Sequence, residues 1–155
     1  MFNIVLYTPQ IPQNTGNISR SCALTGSVLH LIKPLGFSID DRYLKRAGLD
    51  YWDKMSFYVY ENFEEFLSKC NPENLYLFTT KTDKLYTDVK YKKEDYLMFG
   101  SETSGLPDYI HEMFFNNRYN IPMRKGQQLR SLNLSNSVSV VLYEALRQNN
   151  FEGLL

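Results

Sequence analysis

Three short segments of the chain bring together side chains that could do chemistry. In NTGNISR, which begins at Asn14, the residues Asn17 and Arg20 are three apart and would project from one side of a helix. Asn14 is a residue type that can cap that helix. An Arg beside the positive end of a helix would attract an anion through its own charge and through the helix dipole. The alternative is an ordinary surface Arg.

The second segment is GSETSGLP, which begins at Gly100. Gly100 follows an apolar run and Gly105 precedes Leu-Pro, a pattern typical of a tight loop whose backbone approaches a ligand. Glu102 could reach a substrate hydroxyl or amine, or it could be solvated in a simple turn. The segment lacks the Lys and Ser/Thr of a P-loop, and the chain contains no GxGxxG, HExxH or GxSxG sequence. Familiar nucleotide, metal-hydrolase and esterase sites are therefore unsupported.

The third segment, LRSLNLSNSVSVVLYEALRQ, has more capping-type residues than the start of one helix needs. These residues are Ser131, Asn133, Ser135 and Asn136. Helical spacing places the side chains of this segment in two stripes along the predicted helix. The first, predicted to be core, contains Leu134, Val138, Leu142 and Ala145, and the second contains Asn136, Val140, Tyr143 and Arg147. Tyr143 thus shares a face with the polar entrance, although a Tyr on a helix is more commonly a packing residue.

Alternating strands and helices must position these segments. Apolar runs predict strands at 2–7, 27–32, 56–60, 75–80, 95–100 and 118–122, and helical patterns occupy 14–26, 40–48, 61–70, 107–114 and 133–148. Such alternation indicates an α/β fold with a mainly parallel sheet flanked by helices. Ligands of these sheets bind beyond the carboxyl ends of the strands, which is where the three polar segments fall.

Composition limits the class of protein and of partner. A chain of 155 residues that is 43% hydrophobic fits a single domain, 1–155, with one core. Basic and acidic residues number 17 each, so a nucleic-acid surface would have to be local. Two basic clusters are candidates for phosphate contact, or else solvated faces: Arg42, Lys45 and Arg46, and Arg124, Lys125 and Arg130.

Sequence features also bear on compartment and metal content. The N-terminus leads directly into a strand-like run, and no stretch is apolar enough for a membrane span, so we expect a soluble, cytoplasmic protein. Cys22 and Cys70 are far apart and have no CxxC spacing, which predicts reduced thiols, no zinc site and no bound metal.

Taken together and in this order, NTGNISR, MFGSETSGLP and IPM followed by RSLNLSNSVSVVLYEALRQ resemble the three motifs of the SPOUT class of RNA methyltransferases. The similarity covers essentially the whole chain, and the small size resembles the TrmL type of the TrmH family. This resemblance implies a C-terminal deep trefoil knot, S-adenosyl-L-methionine as cofactor, and a homodimer whose active sites use residues of both chains. It also implies a tRNA substrate, methylated on the ribose 2′-hydroxyl of the wobble nucleotide (position 34, cytidine or uridine type), with leucine isoacceptors expected.

The resemblance carries roles to particular positions. The implied catalytic residues are Arg20, Asn14, Glu102, Ser131, Asn133 and Tyr143. The implied cofactor-binding residues are Phe78, Thr79, Thr80, Gly100, Ser101, Glu102, Ile121, Met123, Leu129, Ser131 and Leu132. Beyond the pocket, we expect Arg42, Lys45, Arg46 and Lys125 to contact phosphates.

In the implied reaction the sulfonium methyl passes in line to the 2′-hydroxyl. Arg20 is the family's candidate base, but a guanidinium is almost always protonated, so we expect Arg20 to anchor a phosphate and align the hydroxyl. Asn14 and Glu102 would orient Arg20 and the ribose, while Tyr143 would position the nucleotide or the partner chain's Arg. The alternatives are a non-catalytic knotted RNA-binding module and an rRNA ribose methyltransferase.

Overall fold

A parallel sheet forms the centre of the molecule. The computed structural model describes residues 1–40, 42, 44, 46, 54–126 and 130–155. Within these residues, the sheet has six strands in the order β3-β2-β1-β5-β4-β6, and all neighbouring strands are parallel. The strands are β1 (Asn3–Tyr7), β2 (Val28–Ile32), β3 (Phe57–Tyr60), β4 (Leu75–Phe78), β5 (Tyr96–Phe99) and β6 (Arg118–Tyr119).

Local sequence signals account for the ends of the helices that flank this sheet. The helices are α1 (Pro12–Thr25), α2 (Phe63–Cys70), α3 (Asp108–Met113) and α4 (Leu134–Gln148). Proline occupies the first turn of α1, where its missing N–H costs nothing, and Gly26 ends the helix at a φ of 67°. The side chain of Asn62 caps α2 by accepting a hydrogen bond from the Glu65 N–H.

Each face of the sheet has its own core because parallel strands are buried on both sides. Alternation along β1 shows this directly: Ile4 and Leu6 pack in one cluster and Val5 in the other, and all three are fully buried. Helices α1 and α4 cover the first face, with Ile18 and Leu142 among the core residues. Helices α2 and α3 cover the second face, to which they contribute Phe66 and Ile110. This layering leaves the carboxyl edge of the sheet to the connecting loops.

The predicted α/β class and all six predicted strands are confirmed, with corrections at the boundaries. Helix α1 begins at Pro12, and its N-cap Ile11 makes no side-chain cap. The prediction that Asn14 caps this helix is therefore wrong, because the helix begins at Pro12 and Asn14 already lies within its first turn. The last strand is only Arg118–Tyr119, since it pairs with β4 alone at the edge of the sheet.

Other sequence predictions have mixed outcomes. Most of the helix predicted at 40–48 lies outside the described residues, although Arg42, Leu44 and Arg46 are helical and Leu44 is buried. Cys22 and Cys70 are both free thiols, as predicted. None of the helices in the described ranges combines the length and apolar character that a membrane crossing requires.

Candidate active site

A cavity of about 650 Å³ lies beyond the carboxyl ends of the central strands. All three polar segments contribute to its wall, together with the end of β4 and the loop after β6. Its volume falls in the range of pockets that enclose a nucleoside-sized molecule. The predicted site residues in its wall are Asn14, Phe78, Thr79, Thr80, Gly100, Ser101, Glu102, Ile121, Met123, Ser131, Leu132 and Asn133.

Two stacked aromatic rings form part of the apolar wall of the cavity. Phe78 ends β4 and Phe99 ends β5, and the two residues are direct partners in the parallel ladder. Their ring centroids are 5.0 Å apart, with an angle of 20° between the planes. Both side chains are buried and belong to the core under α1 and α4. The core therefore fixes this part of the site.

The loop after β5 is closed on itself by its backbone. The Ser101 N–H donates to the Gly105 carbonyl at 3.1 Å, and the Gly105 N–H donates back to the Ser101 carbonyl at 3.0 Å. A Cβ atom added at Gly100 would meet the Gly105 carbonyl carbon at 2.4 Å, so only glycine allows this approach. Gly105 has a φ of +64°, the left-handed region that glycine adopts without strain. Both glycines of the motif are thus explained by the turn.

The Glu102 carboxylate ties this loop to the start of α1. Its Oε1 accepts the Gln10 N–H at 2.9 Å, and its Oε2 accepts the Ile11 N–H at 2.8 Å and the Asn14 Nδ2–H at 3.3 Å. These donors lie at the positive end of α1, where a carboxylate is favoured. Glu102 therefore supplies the capping interaction that Asn14 does not. The sequence offered two roles for Glu102, a contact to a substrate or a solvated side chain in a turn. Neither role describes the hydrogen bonds that its carboxylate accepts from the start of α1.

Asn133 extends the network to the third segment. Its Nδ2 donates to Asn14 Oδ1 at 3.0 Å, while its Oδ1 accepts the Ser135 N–H at 2.9 Å and the Asn136 N–H at 3.3 Å. Asn133 is thus the N-cap of α4 and a wall residue of the cavity at once. The backbone of Ser135 and Asn136 serves the helix start. The chain Glu102, Asn14, Asn133 joins all three motif segments.

Two buried polar atoms of cavity-wall residues have no hydrogen-bond partner among the described residues. They are Ser101 Oγ and His111 Nδ1, and both side chains are more than nine-tenths buried. Burial lowers the pKa of His111, and the charges of Lys81 and Arg118 lower it further, so the ring is neutral at physiological pH. A neutral ring and a hydroxyl are groups that pair with uncharged polar groups.

Several wall residues were not predicted from the sequence, among them Ile11, Lys81, His111, Asn120 and Ser137. Lys81 follows the predicted strand 75–80 directly, and its position at a strand's carboxyl end was a usable signal. His111 gave no such signal, because it lies within an apolar helical pattern. Only the packing of α3 beside the loop at Gly105 brings it to the cavity.

Some predicted site residues lie away from the cavity wall. Arg20 is exposed on α1, about two turns beyond Pro12. The expectation that Arg20 lies beside the positive end of that helix is therefore wrong. Tyr143 is 48% exposed on the outer stripe of α4. Arg42, Arg46 and Lys125 are also exposed and do not line the cavity. Lys45 and Leu129 fall outside the described residues.

Comparison with known proteins places these features in a family. The sequence profile of the SpoU rRNA Methylase family matches residues 1–143. The chain is similar to the tRNA (cytidine(34)-2′-O)-methyltransferase of Saccharophagus degradans, with 51% identity over 99% of each chain. It is similarly close to the Yersinia pestis protein of the same name, with 48% identity over 100% of this chain and 98% of the relative.

Solved structures agree with this assignment. One, presented as structural insights into the 2-OH methylation of C/U34 on tRNA, has a TM-score of 0.89 and 40% identity over 98% of both chains. The SpoU methyltransferase AviRb of Streptomyces viridochromogenes, in complex with AdoMet, shares the fold, with a TM-score of 0.85 and 23% identity over 96% of this chain and 60% of that one. With the profile covering most of its length and close relatives aligned from end to end, the chain belongs to the SpoU rRNA Methylase family.

Proposed function

We propose that this protein methylates the ribose 2′-hydroxyl of nucleotide 34 in tRNA, with S-adenosyl-L-methionine as methyl donor. One observation carries the proposal: the three motif segments, distant in sequence, form one cavity and are joined by the hydrogen bonds of Glu102, Asn14 and Asn133. Relatives that match the chain from end to end bear the name of this activity. Leucine isoacceptors remain the expected substrates, on the basis of the sequence resemblance.

The cavity suits the methyl donor in size and in chemistry. Phe78 and Phe99 offer an apolar surface, and the Gly100 to Gly105 loop offers close backbone. We assign the loops at Thr79, Ile121 and Ser131 to the same pocket. When bound there, the donor supplies an electrophilic methyl group on a positively charged sulfur.

This chain's own residues must bind the RNA and prepare its hydroxyl. A ribose 2′-hydroxyl is a weak nucleophile at neutral pH and needs alignment and a route for its proton. Arg20 anchors the phosphate next to the target ribose and aligns the hydroxyl, which lowers the entropic part of the barrier. The Glu102, Asn14 and Asn133 network holds the start of α1 in place, and α1 carries Arg20.

We further propose that the active unit is a homodimer. Arg20 is exposed on α1 rather than directed into the cavity of its own chain, so a second chain is needed to combine the two. Helices α1 and α4 pack together and expose Leu24, Val140 and Tyr143, whose exposed fractions range from 37% to 57%. Such a face buries apolar surface when two copies meet. Sedimentation equilibrium of the protein and of a Tyr143→Asp variant tests this, with a shift toward monomer expected for the variant.

The remaining features of the fold are proposals of the same kind. Residues 1–155 act as one catalytic domain, and the C-terminal part is threaded as a deep trefoil knot. The knot is proposed from the sequence resemblance, and the segments that would form it, the loop after β6 and the chain from Arg130 to Asn133, both line the cavity. A crystal structure traced from β6 to α4 tests the knot.

Modification mapping tests the function directly. Purified protein is incubated with total tRNA and with rRNA, each with methyl-labelled cofactor, and labelled nucleosides are located by mass spectrometry. We expect label on the 2′-oxygen of position 34 of a small set of tRNAs. Label confined to rRNA would instead support the reaction named by the family description. If no RNA is labelled and calorimetry detects no cofactor binding, the protein is a non-catalytic RNA-binding module.

A further inference from the structure

An exposed aromatic residue lies, in the chain, between two residues of the cavity wall, His111 and Asn120. The sequence leaves open whether Tyr109, Ile110, Met113 and Phe114 are surface or core. In the structure, Ile110 is fully buried and Phe114 packs against the second core cluster. Phe115, in the short 3-10 helix Phe115–Asn117, is 61% exposed. A single exposed Phe is common on protein surfaces, so the groups around the ring decide whether it has a role.

Arg118 holds a flat guanidinium against this ring. Its Cζ lies 4.2 Å from the centroid of the Phe115 ring, and its Nε donates a hydrogen bond to the Phe115 carbonyl at 3.2 Å. Arg118 begins β6, so its backbone is fixed by the sheet. The pair is therefore a pre-ordered stack of an aromatic and a guanidinium plane, which loses little entropy when a third plane is added.

Two lysines flank this stack. Lys84 Nζ lies 4.7 Å from the centroid of the Tyr119 ring and donates to the Asn116 carbonyl, so it is held beside the 3-10 helix. Lys81 is exposed, and its Nζ is 3.8 Å from Asp108 Oδ1, a solvent-screened contact that a stronger anion can replace. The region around β6 thus combines stacking planes with positively charged side chains.

Chain connections link the stack to the cavity wall. Lys81 and Asn120 line the cavity, and Asn120 follows Arg118 by two residues. The Asn120 N–H donates to the Lys84 carbonyl at 2.7 Å, which joins the loop after β4 to the end of β6. A nucleotide chain with one residue in the cavity would therefore pass over Lys81 and Asn120 to reach Phe115.

We infer that Phe115 and Arg118 stack an unpaired base of the substrate RNA beside the nucleotide that enters the cavity, while Lys84 and Lys81 contact its phosphates. This inference rests on the proposed function. A nucleotide that turns out into an active site loses its stacking partners, and so do its neighbours in a single-stranded loop. Aromatic rings and Arg planes replace that stacking without regard to base identity.

Binding and kinetics of Phe115 variants test the inference. Removal of a base-stacking ring typically weakens binding by roughly tenfold, so Phe115→Ala should raise both the Kd for an anticodon stem-loop RNA and the KM for tRNA by about that factor. The Kd for S-adenosyl-L-methionine should be unchanged. Phe115→Leu should resemble Phe115→Ala, because it keeps apolar area without a π face, and Phe115→Trp should bind RNA at least as tightly as the wild type.

Matched controls separate stacking from loss of fold. Tyr58→Ala removes another exposed aromatic side chain, 54% exposed on β3, the opposite edge strand, and should leave RNA binding unchanged. Lys84→Ala should weaken RNA binding because a phosphate contact is lost. Lys69→Ala is its control and should leave RNA binding unchanged, since Lys69 lies on α2 and pairs with Glu65. A 2-aminopurine placed beside nucleotide 34 should show quenching with the wild type that Phe115→Leu reduces.

The outcomes distinguish this inference from the proposed function. If the wild type labels position 34 but Phe115→Leu binds RNA as tightly as Tyr58→Ala, the stacking inference is overturned and the function stands. If the wild type neither binds nor labels tRNA, the proposed function fails first. If Phe115→Leu changes the sedimentation of the protein without RNA, the ring is a contact between copies and the inference is likewise overturned.

Discussion

Two polar clusters lie on different parts of the same sheet, and the first of them lines the cavity of about 650 Å³. The first is the Glu102, Asn14 and Asn133 network at the carboxyl edge. The second surrounds His30, in the middle of β2 under α2, and contains a His, a Tyr and a Cys, residue types that also occur in active sites. Residue type alone would favour the second cluster as the site of chemistry.

Geometry reverses that expectation. His30 Nδ1 is 2.9 Å from the Tyr60 hydroxyl and His30 Nε2 is 3.0 Å from Asn3 Oδ1, so both ring nitrogens have partners. The Tyr60 hydroxyl also lies 3.1 Å from Cys70 Sγ. In the cavity wall, by contrast, Ser101 Oγ and His111 Nδ1 have no partner in the part of the chain that the structure describes. Buried polar groups indicate a ligand site where they adjoin space and lack partners, and a structural cluster where they satisfy one another.

The largest effect is expected from Arg20→Ala, on the helix α1 that the Glu102, Asn14 and Asn133 network holds in place. We expect methyl transfer to fall by at least about a hundredfold, because the group that aligns the hydroxyl and its phosphate is gone. The Kd for S-adenosyl-L-methionine should stay within about twofold of the wild-type value, since Arg20 does not line the cavity of its own chain. Single-turnover kinetics and calorimetry measure the two quantities. Full activity in the variant would refute the role of Arg20.

In the cluster around His30, the substitution His30→Ala should lower the stability of the fold without changing catalytic activity. The substitution leaves a void among Tyr60, Phe66 and Tyr96 and removes the partner of Asn3 Oδ1, at a cost of about 3 kcal/mol in the free energy of unfolding. Urea unfolding gives this value. At a temperature where the variant is folded, kcat and KM should match the wild type, and a large loss of kcat would break the comparison.

The pH dependence of stability sharpens the comparison further. Burial lowers the pKa of His30 from 6.5 to about 4, so the unfolded chain binds more protons than the folded one between these values. The stabilisation is complete above pH 6.5 and is lost as the pH falls toward 4. For a shift of this size, linkage gives a loss of about 2 kcal/mol between pH 7 and pH 5.

Urea unfolding of wild type and His30→Phe at these two pH values measures the difference. The variant cannot titrate at this position, so it should lose most of the wild-type pH dependence. An equal pH dependence in both proteins would show that His30 is not the group responsible.

A smaller effect is expected from Glu102→Gln. The amide keeps the size of the side chain but presents an NH₂ group toward donors at Gln10, Ile11 or Asn14. We expect the affinity for S-adenosyl-L-methionine to fall by roughly tenfold, since one hydrogen bond to a charged acceptor is lost and the loop shifts. Calorimetry measures the change. Glu152→Gln, on an exposed residue paired with Lys93, is the control and should have no effect.

The smallest expected effect concerns the turn that holds Glu102. Gly105→Ala meets no atom within 4 Å, but it must adopt a φ of +64°, at a cost of about 1 kcal/mol in the free energy of unfolding. Gly100→Ala would in addition force the Gly105 backbone away and should destabilise the protein more. Thermal unfolding of the two variants shows which substitution destabilises the protein more. A larger loss of stability for Gly105→Ala than for Gly100→Ala would contradict the close approach of Gly100 to Gly105.

Sequence periodicity predicted the strands and helices well, because their formation depends on residues close together in the chain. The apolar stripe of α4 is buried at Val138, Leu142 and Ala145 and half-buried at Leu134, while its second stripe is exposed at Val140 and Tyr143. Boundaries were less exact, as the start of α1 shows, because Pro12 and the Glu102 carboxylate decide it together. One of those determinants is about ninety residues away in the chain.

By itself, the sequence determined the α/β class, the two faces of α4, the motif segments and the family that they resemble. These follow from side-chain spacing and from residue types that few other functions combine. Only the tertiary structure decided that Glu102 anchors α1, that His111 enters the cavity wall, that Arg20 lies outside it and that Phe115 is exposed beside Arg118. Each of these depends on contacts between residues far apart in the chain or on the orientation of a helix, and local propensity carries no information about either.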